Sequence, residues 1–245
     1  MKGGRKTPLD RLIELERLSG VDFLPLSKSA LKNSAPAAKP VPPRIVAPKQ
    51  TPAKSPSEPL PPEFAKFRSE VLECRKCGLC ETRTQVVFGV GTLKAPVVFV
   101  GEAPGADEDE QGEPFVGRAG QLLTRSLLKI GVKREQVYIA NILKCRPPEN
   151  RTPRPEEMAA CVPYLREQLK WIDPKAICAM GNIAVQGLLG TTMGISRLRG
   201  KYHDYQGRKL FATFHPAYVL RNMGQVALFE ADLRTVCGDS GIAVR

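Results

Sequence analysis

Three polar residues stand where apolar runs of this chain stop. Glu102 lies just beyond Val97–Val100, Asn141 follows Val137–Ala140, and His215 follows Leu210–Phe214. A carboxylate can orient or deprotonate water, an amide can both donate and accept, and an imidazole can donate a hydrogen bond to charge that develops on a leaving group. A second set of residues is made of thiols. Cys74 and Cys77 form a C-x2-C pair, Cys145 comes directly behind the second apolar run, and Cys161 follows with 15 residues between. Two plus two thiolates make a four-ligand site, which suits either zinc or an iron–sulfur cluster. Cys80 extends the first pair to C-x2-C-x2-C and competes as a ligand, but we place it outside the set. Cys178 sits inside an apolar run as an ordinary buried thiol, and Cys237 has no evident partner.

These residues need a frame. The runs Val97–Val100, Val137–Ala140, Ala176–Met180 and Leu210–Phe214 alternate with helical stretches, the pattern of βαβ units and a parallel sheet. Every run ends in something polar or Gly-rich, and in a parallel sheet all four ends share one edge, where open α/β folds bind ligands. The first run leaves through Gly101-Glu102-Ala103-Pro104-Gly105, an acidic loop (Asp107 to Glu110) and Phe115. It re-enters a helix at Gly117-Arg118-Ala119-Gly120 with Leu122, Leu123, Leu127 and Leu128 on one side. This loop looks like a phosphate cradle. However, it lacks the Gly-Lys-Ser/Thr ending, and its acids would repel a triphosphate, which argues against a nucleotide triphosphatase.

The net charge of +12 over 245 residues, with a pI of about 9.5, points to a polyanionic partner, nucleic acid first. The excess is shared: residues 1–62 carry 11 Lys/Arg against 5 Asp/Glu, and residues 63–245 carry 26 against 20. Residues 1–62 also hold 12 of the 22 prolines, and from Leu26 to Pro62 the composition is too poor in large apolar residues to offset the entropy of ordering. We read residues 1–62 as a mostly disordered Pro/Lys-rich arm with a short amphipathic helix at 8–19 that either docks on its own core or, the preferred reading, serves as a peptide for a protein partner, and residues 63–245 as the folded domain. No apolar run has the length of a membrane span and no signal-peptide core is present. The expectation is a soluble cytoplasmic monomer whose seven cysteines serve metal or redox chemistry more than disulfides.

GEAPGADEDEQGEPFVGRAGQLL, NILKCRPPENRTPRP, HPAYVLRN and the set Cys74/Cys77/Cys145/Cys161 together resemble a family 4 uracil-DNA glycosylase, the iron–sulfur branch of that superfamily. The resemblance runs from about Cys74 to near Leu233. It implies a three-layer α/β/α domain with a four-stranded parallel sheet and a [4Fe-4S] cluster on the four cysteines. Glu102 argues against the family 5 branch, which lacks an acid after the glycine equivalent to Gly101. A relative that forms a covalent adduct through a His in an inserted basic loop is not matched, because Ile195–Lys201 has neither insertion nor His.

The implied activity is excision of uracil from single- or double-stranded DNA, leaving an abasic site. The nucleotide must first be flipped out, at a cost of a few kcal/mol. Substrate would be held by Gly101, Ala103, Phe115 and Asn141: Phe115 stacks on the base, and Asn141 offers its NH2 to O4 and its carbonyl to N3–H, a pattern that cytosine reverses. His215 donates to O2 of the departing uracil anion. Glu102 and Glu108 are the carboxylates for water and for sugar cation character, with Glu102 preferred. Arg118, Arg221 and Lys144 are candidates for phosphate contacts, and Tyr218, Val219 and Leu220 for a wedge into the stack. Two rival readings are a non-catalytic DNA-binding factor of the same fold, such as a polymerase-associated protein, and a small-molecule hydrolase or transferase using the loop carboxylates.

Overall fold

The computed structural model describes residues 60–245; the expected arm and its helix at 8–19 lie outside the described residues. The first helix of the described residues, α1 (Pro62–Leu72), opens with proline in its first turn, where no backbone N–H is needed. There follow β1 (Val90–Gly91), β2 (Val97–Gly101), α2 (Ala106–Gln111), α3 (Arg118–Lys129), β3 (Tyr138–Asn141) and α4 (Pro155–Ile172). The chain continues through β4 (Ala176–Met180), α5 (Asn182–Leu189), α6 (Ile195–Leu198), β5 (Tyr202–Tyr205), β6 (Arg208–Thr213), α7 (Pro216–Arg221) and α8 (Val226–Asp239).

The four expected runs form the parallel centre of the sheet, in the order β3-β2-β4-β6. The sheet is wider than expected. β1 pairs antiparallel with β3 at one edge and β5 pairs antiparallel with β6 at the other, making six strands. β5 and β6 are joined through Gln206 and Gly207, both at positive φ (53° and 79°), the conformation that a tight two-residue hairpin requires. β2 is followed by β3 on one side of it and β4 on the other, so the crevice at its carboxyl end is a topological switch point.

Alternation along the strands decides which helices cover which face. Val98 and Val100 of β2 pack with Ala140, Ile177 and Ala212 under α1, α4 and α5, through Phe64, Leu165 and Val185. Val97 and Phe99 turn the other way, with Ile139, Cys178 and Phe211, under α3 and α8, through Leu123, Leu127, Phe229 and Leu233. The central strands are buried on both faces, which is why they read as unbroken apolar runs. The result is the expected three-layer α/β/α stack. Among the described residues no helix is long and apolar enough to cross a membrane.

Candidate active site

The carboxyl ends of β2, β3, β4 and β6 open into one cleft of about 670 Å³, whose walls include Glu102, Ala103, Phe115, Asn141, His215 and Arg221. Gly101 lies against two of these residues, Asn141 and Phe115. A Cβ there would stand 2.4 Å from Asn141 Oδ1 and 2.5 Å from Phe115 Cζ, so only glycine lets amide and ring converge. Phe115 is 6% exposed and holds φ of 55°, a conformation an aromatic residue adopts only when its surroundings fix it. Its ring lies 5.6 Å from that of His215, tilted by 38°. Asn141 is 2% exposed, yet its Oδ1 has no hydrogen-bond partner among the described residues. A buried carbonyl left unpaired costs on the order of 1–3 kcal/mol, and a ligand N–H would recover it.

His215 caps α7. Its Nδ1 accepts from the Ala217 N–H at 3.2 Å, so in the neutral ring the proton resides on Nε2. Burial, with Arg221 nearby, lowers its pKa to about 4, so the ring is a neutral donor over the physiological range. Gly181 lies against this residue at φ of 89°; a Cβ on it would come within 2.8 Å of His215 Cβ. The β6 end is anchored one layer deeper, where Asp232 accepts from Thr213 Oγ1 at 2.7 Å and from Arg199 Nε and Nη2 at 2.8 to 3.2 Å. Arg199 in turn lies over the Phe214 ring at 4.8 Å. Neither Arg199 nor Asp232 carries a motif signal; their link appears only once α6 and α8 are packed together.

The two acidic candidates differ. The expected acidic loop is in part a helix, α2, and Glu108 uses both oxygens on main-chain N–H groups: Gly105 at 3.1 Å, Val116 at 3.0 Å and Gly117 at 2.9 Å. That makes Glu108 the staple that shapes the loop. Glu102 has no side-chain hydrogen bond among the described residues, and burial raises its pKa above the ordinary carboxylate value. Asp109, also in α2, is buried and accepts from Thr84 N at 3.0 Å.

Of the candidates for DNA contact, Lys144 and Val219 are buried and Leu220 is half-buried. Lys144 is 1% exposed and donates to Gln168 Oε1 at 2.6 Å and to Asn141 O at 3.0 Å, so it cannot reach a phosphate. Val219 is fully buried against the core of the second face, and Leu220 is half-buried beside it. Val219 turns inward because α7 docks on the helices of that face, which leaves it unable to enter a base stack, while Leu220 keeps part of its surface exposed. Tyr218 is 39% exposed, lines the cleft and lies 4.9 Å from the Phe214 ring. Arg118 is exposed at the start of α3 but outside the cleft. Asn182, Ile183 and Thr152 also line the cleft, and none was singled out from the sequence.

Cys74, Cys77, Cys145 and Cys161 line one pocket together with Arg83, Lys144 and Tyr164; Cys80 is not in its wall. Among the described residues no three His, Cys, Asp or Glu side chains are grouped as one bare ion would need. N–H groups aim at three of the sulfurs. Arg83 Nη1 donates to Cys145 Sγ at 3.1 Å, Lys144 N to Cys161 Sγ at 3.2 Å, and Lys76 N to Cys74 Sγ at 3.5 Å. Burial pushes the Cys161 thiol up to about 11 and raises that of Cys145, which Arg83 pulls back down. An all-sulfur donor set with N–H groups directed at it fits a thiolate-ligated metal centre.

The model of the uracil DNA glycosylase superfamily matches residues 88–236. This chain belongs to that superfamily. It is 48% identical over 182 residues to a type-4 uracil-DNA glycosylase of Archaeoglobus fulgidus, covering 69% of this chain and 90% of the relative. It is 50% identical over 163 residues to one of Thermotoga maritima, covering 65% and 85%. A type-5 uracil-DNA glycosylase of Pyrobaculum aerophilum is 30% identical over 200 residues, covering 74% and 88%. The superfamily match spans β1 to the last turns of α8, and hence every wall of the cleft.

Proposed function

We propose that this protein is a DNA repair glycosylase of the type-4 class that flips uracil out of DNA and hydrolyses its N-glycosidic bond. The observation that carries the reading is the unpaired Asn141 Oδ1, buried between Gly101 and Phe115 in a cleft that also holds the His215 ring. Uracil N3–H satisfies that oxygen and its O4 takes the amide NH2. Cytosine presents an acceptor at N3 and a donor at C4, which leaves both groups mismatched in a site that water has left. Phe115 stacks on the base. As the bond breaks, negative charge gathers on uracil O2, where the Nε2–H of neutral His215 donates; oxyanion contacts of this kind are worth about 3–4 kcal/mol. Glu102, with no competing partner, orients the attacking water and balances the cationic sugar. Exposed Arg221, Arg118 and Tyr218 are assigned to the DNA, with Tyr218 in place of Val219 and Leu220 as the wedge.

The cysteine pocket is assigned a [4Fe-4S] cluster held by Cys74, Cys77, Cys145 and Cys161. It would supply structural cross-linking of α1, the β3 exit and α4, and no step of excision passes through it. The support is the shared all-sulfur pocket, the N–H donors around it and the type-4 relatives.

The test is an oligonucleotide with a single uracil, incubated with the protein and then treated with alkali to cut abasic sites. Strand cleavage at the uracil alone is expected. Binding without cleavage would favour a DNA-binding factor, and release of base from free nucleosides a small-molecule hydrolase.

A further inference from the structure

Five residues, Asn141 to Cys145, join the base cleft to the cysteine pocket. Sheet-like pairing runs on past β3, with Ile142 N donating to Gly101 O and Leu143 N to Glu102 O, both at 3.0 Å. Lys144 then ties the segment at four points. Its N donates to Cys161 Sγ at 3.2 Å, its O accepts from Val87 N at 2.8 Å, and its Nζ donates to Asn141 O at 3.0 Å and Gln168 Oε1 at 2.6 Å. Gln168 is itself fully buried and donates through Nε2 to Phe88 O at 2.9 Å and Tyr138 Oη at 3.1 Å. The side chain of Lys144 therefore has two fixed acceptors, one of which is the main-chain carbonyl of the residue that faces the base.

We propose that Lys144 is a positioning residue for Asn141, locking the peptide plane after it so that the amide stays aimed into the cleft. The inference rests on the reading that Asn141 recognises the base. The physical case is that Asn141 Oδ1 has nothing of its own to hold it, so the amide direction depends on the backbone, and the backbone carbonyl is pinned by Lys144. Burying an ammonium group away from carboxylates is costly. Cys145 and Cys161 line the pocket beside it, and as thiolate ligands they would offset part of that cost. Base recognition and the cysteine centre thus share one side chain.

A double-mutant cycle tests this. Purified holoprotein is compared as wild type, Lys144→Met, Asn141→Ala and the double variant, reading single-turnover uracil excision, affinity for free uracil, visible absorbance and thermal unfolding. If Lys144 acts through Asn141, Lys144→Met weakens excision and uracil binding by about tenfold in the wild-type background and by less than about twofold in the Asn141→Ala background. An equal loss in both backgrounds, or no loss, overturns the proposal. Should Lys144→Met be colourless or unfolded, Gln168→Leu replaces it in the same cycle, because it removes one of the two acceptors that fix the same ammonium, from outside the cysteine loop; an uncoupled effect there overturns the proposal too. If wild-type protein excises no uracil, the proposed function fails; if it excises uracil and the cycle shows no coupling, only the role of Lys144 fails.

Discussion

The proton of His215 sits on Nε2 because Nδ1 is already engaged by the Ala217 N–H, and burial keeps the ring neutral. His215→Ala and Asn141→Ala are each expected to slow excision by at least about tenfold, up to about a hundredfold, with unfolding temperature nearly unchanged; single-turnover kinetics and a melting curve check both. The pH dependence separates His215 from Glu102. As a base, Glu102 must be ionised, so excision should rise with pH through its upward-shifted pKa and then level off, while His215, lowered to about 4, leaves the neutral range flat. Glu102→Gln should be slow and lose that rise; a rise that persists in the variant would belong to another group. Stability follows His215 with a definite sign. Its folded value of about 4 lies below the ordinary 6.5, so its contribution is full above 6.5 and is lost as pH falls toward 4.

At the scale of elements, the carboxyl edge works because separate devices fix three of its four strand ends. Glu108 holds the β2 exit through three N–H groups, Lys144 holds the β3 exit, and Asp232 holds the end of β6 from α8. Asp232 is 5% exposed and paired to Arg199 by two-pronged hydrogen bonds, so removing it leaves a guanidinium with no carboxylate beneath the cleft. Asp232→Ala is expected to destabilise the fold by about 3 kcal/mol, read as a lower denaturant midpoint. The same devices explain what the sequence hid. α2 is ADEDEQ, with no apolar face to signal a helix, and it forms because Glu108 reaches back to the Gly105 N–H and Asp109 is captured by Thr84 and Gln85. β1 and β5 are short edge strands that exist only through pairing with β3 and β6.

For the whole molecule, the basic excess of residues 63–245 is a property of the folded part, in keeping with a polyanionic substrate. The cysteine centre draws together α1, the segment after β3 and α4, which are far apart in sequence. Purified protein is therefore expected to be brown, with broad visible absorbance and iron bound in proportion, and Cys161→Ser to lose both colour and thermal stability. Colourless protein with one zinc per chain would contradict the cluster. The four parallel strands, the polar groups at their ends and the four cysteines were open to reading in sequence, because burial on both faces imposes apolar runs and ligand chemistry restricts residue type. Which side chains turn inward was not. Lys144 and Val219 looked like surface residues, and only Gln168, 24 positions along the chain, and the docking of α7 bury them. Sequence ranked Glu102 over Glu108 only by its place at the strand end; loop closure, which uses both oxygens of Glu108, is what separates their roles. Local pattern sets what a residue can do; the partners that decide what it does arrive from distant segments and exist only in the folded chain.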